Sequence, residues 1–187
     1  MRSLVPLFLL AAAASAPALA VERVPVPNFR SIELHGGGTV TVVPAAVQRV
    51  TILEGSTQFT RVRVDHDGKL QIDACNQQCP RNYRLRIEIA TPRIMGLGVN
   101  GGGTMTTTNG FSRQKEIGVA VNGGGKIDAR SIDATAVGAA VNGGGEVLVR
   151  TNGTLAASVH GGGAIVYWGN PTVATSIAGG GAVRKGG

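Results

Sequence analysis

Aromatic residues are scarce in this chain: four phenylalanines, two tyrosines and one tryptophan among 187 residues. That excludes a core built on large rings. No dense lysine and arginine cluster is present either, so a nucleic-acid surface, which needs rings for bases to stack on beside a basic track, is not expected. Cysteine is limited to Cys75 and Cys79, and no second cysteine pair or group of histidines completes a metal site. In an oxidising compartment such a pair most simply forms a local disulfide, favoured here over metal binding or redox chemistry. Beyond residue 20 no apolar run approaches the ~20 residues of a membrane-spanning helix. The periodicity of an amphipathic helix is missing throughout. No cofactor is expected.

What the chain has instead is glycine, 29 residues in all. Eighteen of them form six triplets: Gly36, Gly37 and Gly38; Gly101, Gly102 and Gly103; Gly123, Gly124 and Gly125; Gly143, Gly144 and Gly145; Gly161, Gly162 and Gly163; Gly179, Gly180 and Gly181. From the second triplet onward the spacings are 22, 20, 18 and 18 residues, a near-constant period that marks stacked units. Two residues before the triplets stand Leu34, Val99, Val121, Val141, Val159 and Ile177; two residues after stand Val40, Met105, Ile127, Val147, Ile165 and Val183. Six residues before the last five stand Met95, Ile117, Val137, Leu155 and Val173. These columns are apolar throughout, and the runs that carry them alternate with the two-residue period of a strand. A second set of turn signals lies midway, at Asn109-Gly110, Arg130-Ser131, Asn152-Gly153 and Gly169-Asn170-Pro171. Each repeat therefore reads as two strands and two turns, with the triplet closing one edge. A tight corner there needs positive φ or the close approach of the next backbone. A side chain at the middle glycine is expected to clash.

The first residues have a different character. Met1-Arg2-Ser3 is a short basic start, Leu4 to Ala14 is apolar, and Ala18-Leu19-Ala20 fits a small-x-small cleavage site. Residues 1–20 are expected to be a secretory signal, with residues 21–187 exported as one domain. No cysteine follows the cleavage site, so no lipid anchor is expected. Within the domain, 21–95 is irregular and strand-rich and 96–187 carries the regular repeats. Without Arg2 the chain has 17 Lys+Arg against 11 Asp+Glu, a formal charge of +6. The basic residues are scattered, which serves solubility more simply than it serves a polyanion partner.

Asn100, Asn122 and Asn142 precede consecutive triplets and His160 continues the file, so a side-chain ladder along the turns is expected. The residues nominated for ligand contact are Arg61, Arg63, Arg84, Arg86 and Trp168, placed outward by strand alternation. Several enzyme words are false matches. His35 and His160 precede triplets as in an esterase oxyanion loop, yet no Gly-x-Ser-x-Gly nucleophile elbow occurs. Gly96 to Gly101 spells GxGxxG without a helix to open. Glu116, Asp128, Asp133 and Glu146 sit at different places in their repeats, which does not supply the paired acids of a glycosidase. A hexapeptide acyltransferase helix fails because Gly153 and Pro171 break its aliphatic file. Lys126 and Glu146 share a column, as an exposed ion pair would.

The opening Phe29 to Val43, the Val62 to Ile72 segment, the Ile87 to Val99 approach with Pro92 and the later triplets together resemble the bacterial head-GIN-domain family of auto-transporter adhesins. Its glycine-rich turns are of the Gly-Ser-Gly or Gly-Ala-Gly kind; here the middle position is glycine throughout. The resemblance covers nearly all of residues 21–187. It implies a β-helix similar to pectin-lyase solenoids and a non-enzymatic surface or periplasmic protein. The expected fold is therefore all-β, a right-handed parallel β-solenoid with a strand-rich N-terminal cap. The expected function is a non-catalytic adhesin-like or envelope scaffold protein, periplasmic, surface-exposed or secreted. Binding of anionic glycans or lipopolysaccharide is the alternative, and a polysaccharide-active enzyme comes a distant third. Cell-surface glycans or envelope proteins are the expected partners.

Overall fold

The computed structural model describes residues 21–76 and 78–187; the expected signal, residues 1–20, lies outside them. Sixteen strands are present among the described residues, and no helix. In chain order they are β1 (Glu22–Val24), β2 (Ser31–His35), β3 (Thr39–Pro44), β4 (Arg49–Glu54), β5 (Arg61–Val64), β6 (Lys69–Asp73), β7 (Arg86–Thr91) and β8 (Gly96–Gly101). There follow β9 (Thr104–Thr107), β10 (Gln114–Gly123), β11 (Lys126–Asp128), β12 (Ala134–Gly143), β13 (Glu146–Gly161), β14 (Ala164–Trp168), β15 (Thr172–Ala178) and β16 (Ala182–Lys185).

All sixteen belong to one sheet that folds over on itself into a nearly closed, barrel-like wall. The two sides meet in β13, whose first residues pair with β11 and β14 and whose last residues pair with β12 and β15. One side, wall A, has the order β1-β4-β7-β3-β9-β11-β13-β14-β16; the other, wall B, runs β5-β6-β2-β8-β10-β12-β13-β15. Each glycine triplet carries the chain from wall B to wall A.

This corrects the expected right-handed parallel β-solenoid with a separate cap. The sheet is mixed: β1 pairs β4, β4 pairs β7 and β5 pairs β6, all antiparallel, within the same continuous sheet as the parallel strands. Nor does the chain wind steadily from one end. β2 sits between β6 and β8, and β3 between β7 and β9, so residues 49–91 pass to the outer side of the first triplet layer before the chain returns across it. The repeat period could not show this, because the first triplet is 65 residues from the second in sequence yet lies directly against it: Gly102 and Gly103 both donate their N–H to Gly36 O.

Strand alternation fills the interior. Leu34, Val99, Val121, Val141 and Val159 on wall B face Val40, Met105, Ile127, Val147 and Ile165 on wall A, all fully buried. Each buried aliphatic side chain contributes roughly 1.5–3 kcal/mol relative to exposure. Two column members depart from the expectation. Ile177 lies on the outermost strand of wall B and is 46% exposed, and Met95 is 44% exposed. At Met95 the chain is still turning out of Pro92-Arg93, and the neighbouring Ile94 fills the core in its place.

Candidate functional site

The triplet turns stack glycine on glycine: Gly101 pairs with Gly123, Gly123 with Gly143 and Gly143 with Gly161. The three positions do different work. The first has positive φ, 115° at Gly143 and 113° at Gly161. At the third, a Cβ on Gly145 would lie 2.5 Å from Gly125 O and 2.5 Å from Val121 Cγ1. The middle position is open, for a Cβ on Gly37, Gly102, Gly124, Gly144, Gly162 or Gly180 meets nothing within 4 Å. The expected clash at the middle glycine is thus wrong, because that Cα points to solvent while its neighbours face the adjoining turn.

Beside the triplets runs a polar file on wall B. Asn122 Nδ2 donates to Asn100 Oδ1 at 2.7 Å, and Asn142 Nδ2 donates to Asn122 Oδ1 at 2.8 Å. His160 is in register with Asn142, and its Nδ1 lies 3.4 Å from Ser158 Oγ. In the other direction the file continues through His35 to Asp73. Here it meets a cluster that sequence reasoning missed. His35 Nδ1 is 2.9 Å from Asp73 Oδ1 and its Nε2 is 3.2 Å from Glu33 Oε1. Lys69 Nζ is 2.8 Å from Glu33 Oε2, and Asn100 Nδ2 also donates to Glu33. Burial opposes ionisation of Glu33, but Lys69, His35 and Asn100 outweigh it and hold the carboxyl below its usual range. The available signal was His35, which precedes its triplet as the asparagines precede theirs.

The outer face of wall B next to this file is paved with the smallest side chains. A groove of about 550 Å³ runs from Glu33 and Lys69 across Gly98, Gly118, Ala120, Gly138, Ala140 and Ala156. A second, of about 560 Å³, shares Gly118, Gly138 and Ala156 and continues toward Glu116, Thr154 and Thr172. The floor is therefore a flat apolar trough crossing several strands. The small residues alternate with the buried columns on the same strands, so binary patterning places them outside.

The nominated contact residues do not converge. Arg61 and Arg63 lie on β5, where Arg63 is held by Gln71 and Asp73. Arg86 is on β7 of wall A, with Arg84 just before it. Trp168 ends β14, five strands from β7 along wall A, or roughly 24 Å at the usual strand spacing. Its ring is already covered: the Arg130 guanidinium stands 4.7 Å from the ring centroid, and Gly186 packs against the ring. Trp168 Nε1 donates to Gly187 O at 2.9 Å. Cys75 and Cys79 form a disulfide. Among the described residues no group of three or more His, Cys, Asp and Glu could hold a metal ion.

Three of the four acids of the regular part, Asp128, Asp133 and Glu146, are paired with bases, while Glu116 is exposed outside these pairs. Lys126 Nζ is 2.7 Å from Glu146, Arg130 holds Asp128, and Arg113 Nε is 3.6 Å from Asp133. The hydrogen bond from Arg130 keeps the Asp128 carboxyl below its usual range.

Residues 111–171 match the family model described as "Putative auto-transporter adhesin, head GIN domain". No curated protein matches the sequence. Among solved structures, a "putative adhesin" from Bacteroides fragilis superposes with a TM-score of 0.54 at 21% identity, covering 89% of this chain and 96% of that one. A "putative adhesin" from Parabacteroides distasonis gives 0.43 at 16% identity, covering 89% and 96%. A "putative lipid binding protein" from the same organism gives 0.38 at 15% identity, covering 90% and 96%. The Bacteroides likeness is one of fold. By the match over residues 111–171, this chain resembles the head GIN domain family of auto-transporter adhesins.

Proposed function

We propose that the protein is a non-catalytic, exported, adhesin-like binding protein whose residues 21–187 act as one domain and whose contact surface is the outer face of wall B. The observation that carries this is the trough itself: a flat floor of glycine and alanine bordered by the asparagine file, with the Glu33, His35, Lys69 and Asp73 cluster at one end. A floor without long side chains lets an extended partner approach the strands closely. The amides beside it offer hydrogen bonds at the strand spacing of about 4.8 Å. The pairing of Asp128, Asp133 and Glu146 with cations supports a binding role over acid–base catalysis. The likeness to adhesins supports a place at the cell surface or in the periplasm, with surface glycans or envelope proteins as partners.

Gly138 supplies the test, because a Cβ there meets nothing within 4 Å and a long side chain would fill the trough without disturbing the fold. Binding of the labelled chain to intact cells is expected to fall about tenfold in G138R, the change of roughly 1.4 kcal/mol that a blocked contact would bring. Undiminished binding by a folded G138R protein would show that the partner is held elsewhere. Turnover of a polysaccharide that is lost on replacing a single acid would overturn the non-catalytic part.

A further inference from the structure

The second turns of successive layers bring together residues far apart in sequence. At the edge of wall A, Asn109, Asp128, Arg130, Ser131 and Arg150 line a cleft of about 210 Å³. Arg150 is on β13, in register with Trp168 on β14, and β9, β11 and β13 are consecutive neighbours. The cleft therefore spans two strand intervals, about 10 Å.

Its hydrogen-bonding capacity is unspent on one side only. Of the five N–H donors of a guanidinium, Arg130 gives Nε and Nη2 to Asp128. The Trp168 ring lies against the same guanidinium, its centroid 4.7 Å away. The remaining donors of Arg130 are left for another acceptor. Ser131 Oγ donates to Thr107 O at 2.8 Å and can still accept. The Arg150 guanidinium and the Asn109 amide have no partner among the described residues. Two guanidiniums against one carboxylate leave the cleft net positive.

The geometry points to an oxyanion-binding site, formed by Arg150, the free edge of Arg130 and Asn109, that takes a carboxylate or sulfate carried on an acidic polysaccharide. Each guanidinium is itself a planar fork of donors, which suits a two-oxygen acceptor. All five lining residues are polar, so the cleft offers an acyl chain nothing to pack on, and the covered Trp168 offers no platform for a base. The arginines expected from the sequence, Arg61, Arg63, Arg84 and Arg86, play no part. The site lies on a different wall from the trough and stands without it.

The test titrates the full chain with polygalacturonate, dextran sulfate and neutral dextran, following heat by calorimetry and emission from Trp168, the chain's one tryptophan. Saturable binding of both acidic polymers, with a change in emission, and none of the neutral one, is expected. R150Q should weaken it about tenfold through loss of a charge-assisted hydrogen bond, and a R61Q/R63Q double variant should bind like the parent. Absence of saturable binding overturns the site. So does binding that R150Q leaves intact, or equal weakening by R61Q/R63Q, which would mark a response to net charge. G138R separates the two surfaces: it should leave polygalacturonate binding unchanged while it reduces cell binding, and loss of both would refute an independent oxyanion site.

Discussion

Within a single triplet, three chemically identical residues carry three different constraints. The first glycine needs positive φ, the third sits against the backbone of the adjoining turn, and the middle one is free. Sequence spacing makes the triplet visible but cannot tell which Cα faces a neighbour, since that depends on how one turn lies over the next. The consequence is testable with one methyl group moved by one position. G144A should leave stability unchanged or raise it by up to about 1 kcal/mol, because alanine narrows the unfolded ensemble and meets nothing when folded. G145A places its Cβ 2.5 Å from Gly125 O, and overpacking of that kind costs about 1–3 kcal/mol. For a chain of this size the loss corresponds to roughly 2–12 °C in Tm. Thermal unfolding of the two variants followed by circular dichroism should separate them in that order, and equal losses would contradict the assigned stacking.

At the level of strands, the aliphatic columns nearest the triplets were legible because a two-residue alternation admits only one inward set. The column six residues before was legible except at its start. Met95 was counted with Ile117, Val137, Leu155 and Val173; Ile117, Val137 and Leu155 are buried and Val173 is partly buried against the core, whereas Met95 is exposed. The phase slips by one residue where Pro92-Arg93 bends the chain, and periodicity read from later repeats carries no information about that bend. I127A, on the three-residue β11 between β9 and β13, should cost about 2–5 kcal/mol by opening a cavity. M95A should stay within about 0.5 kcal/mol, as at an ordinary surface position. Urea midpoints at constant m-value would decide it. The asparagine file was legible from three identical neighbours of three triplets. Its extension through His35 to Asp73 and Glu33 was not, because β6 and β2 join it through pairings between segments some 38 residues apart. The cleft at Asn109, Arg130 and Arg150 was hidden for a related reason: those residues sit at weaker, unequal turn signals, and only the strand register aligns them.

For the molecule as a whole, stability draws on a few charged links, one where the irregular N-terminal strands join the regular layers and one within those layers. Glu33 on β2 takes Lys69 from β6 and Asn100 from β8, so one carboxylate ties three strands of wall B. On wall A, Asp128 is tied to Arg130, which stacks on Trp168 two layers further. Both carboxyls are held below their ordinary values of 4.5 and 3.8, Glu33 by Lys69, His35 and Asn100 against the opposing effect of burial, Asp128 first by Arg130. A group whose folded-state pKa is depressed contributes stability that is fully present above its unfolded value and disappears as pH falls through the folded one. Lys69 is shifted upward by the same pair, so its contribution is present below 10.5 and lost at higher pH; it describes the Glu33 link from the other partner and is not added to it. The urea midpoint should therefore be level across neutral pH and fall as the solution is taken below about pH 4.5. E33Q should lower the neutral plateau and flatten part of the acid decline, whereas E116Q, at an exposed carboxyl outside these links, should shift neither. A parent curve that stays level from pH 6 to about pH 2, or an E33Q curve parallel to it throughout, would mean that the junction is held by the aliphatic columns alone and that its charged links carry no net stability.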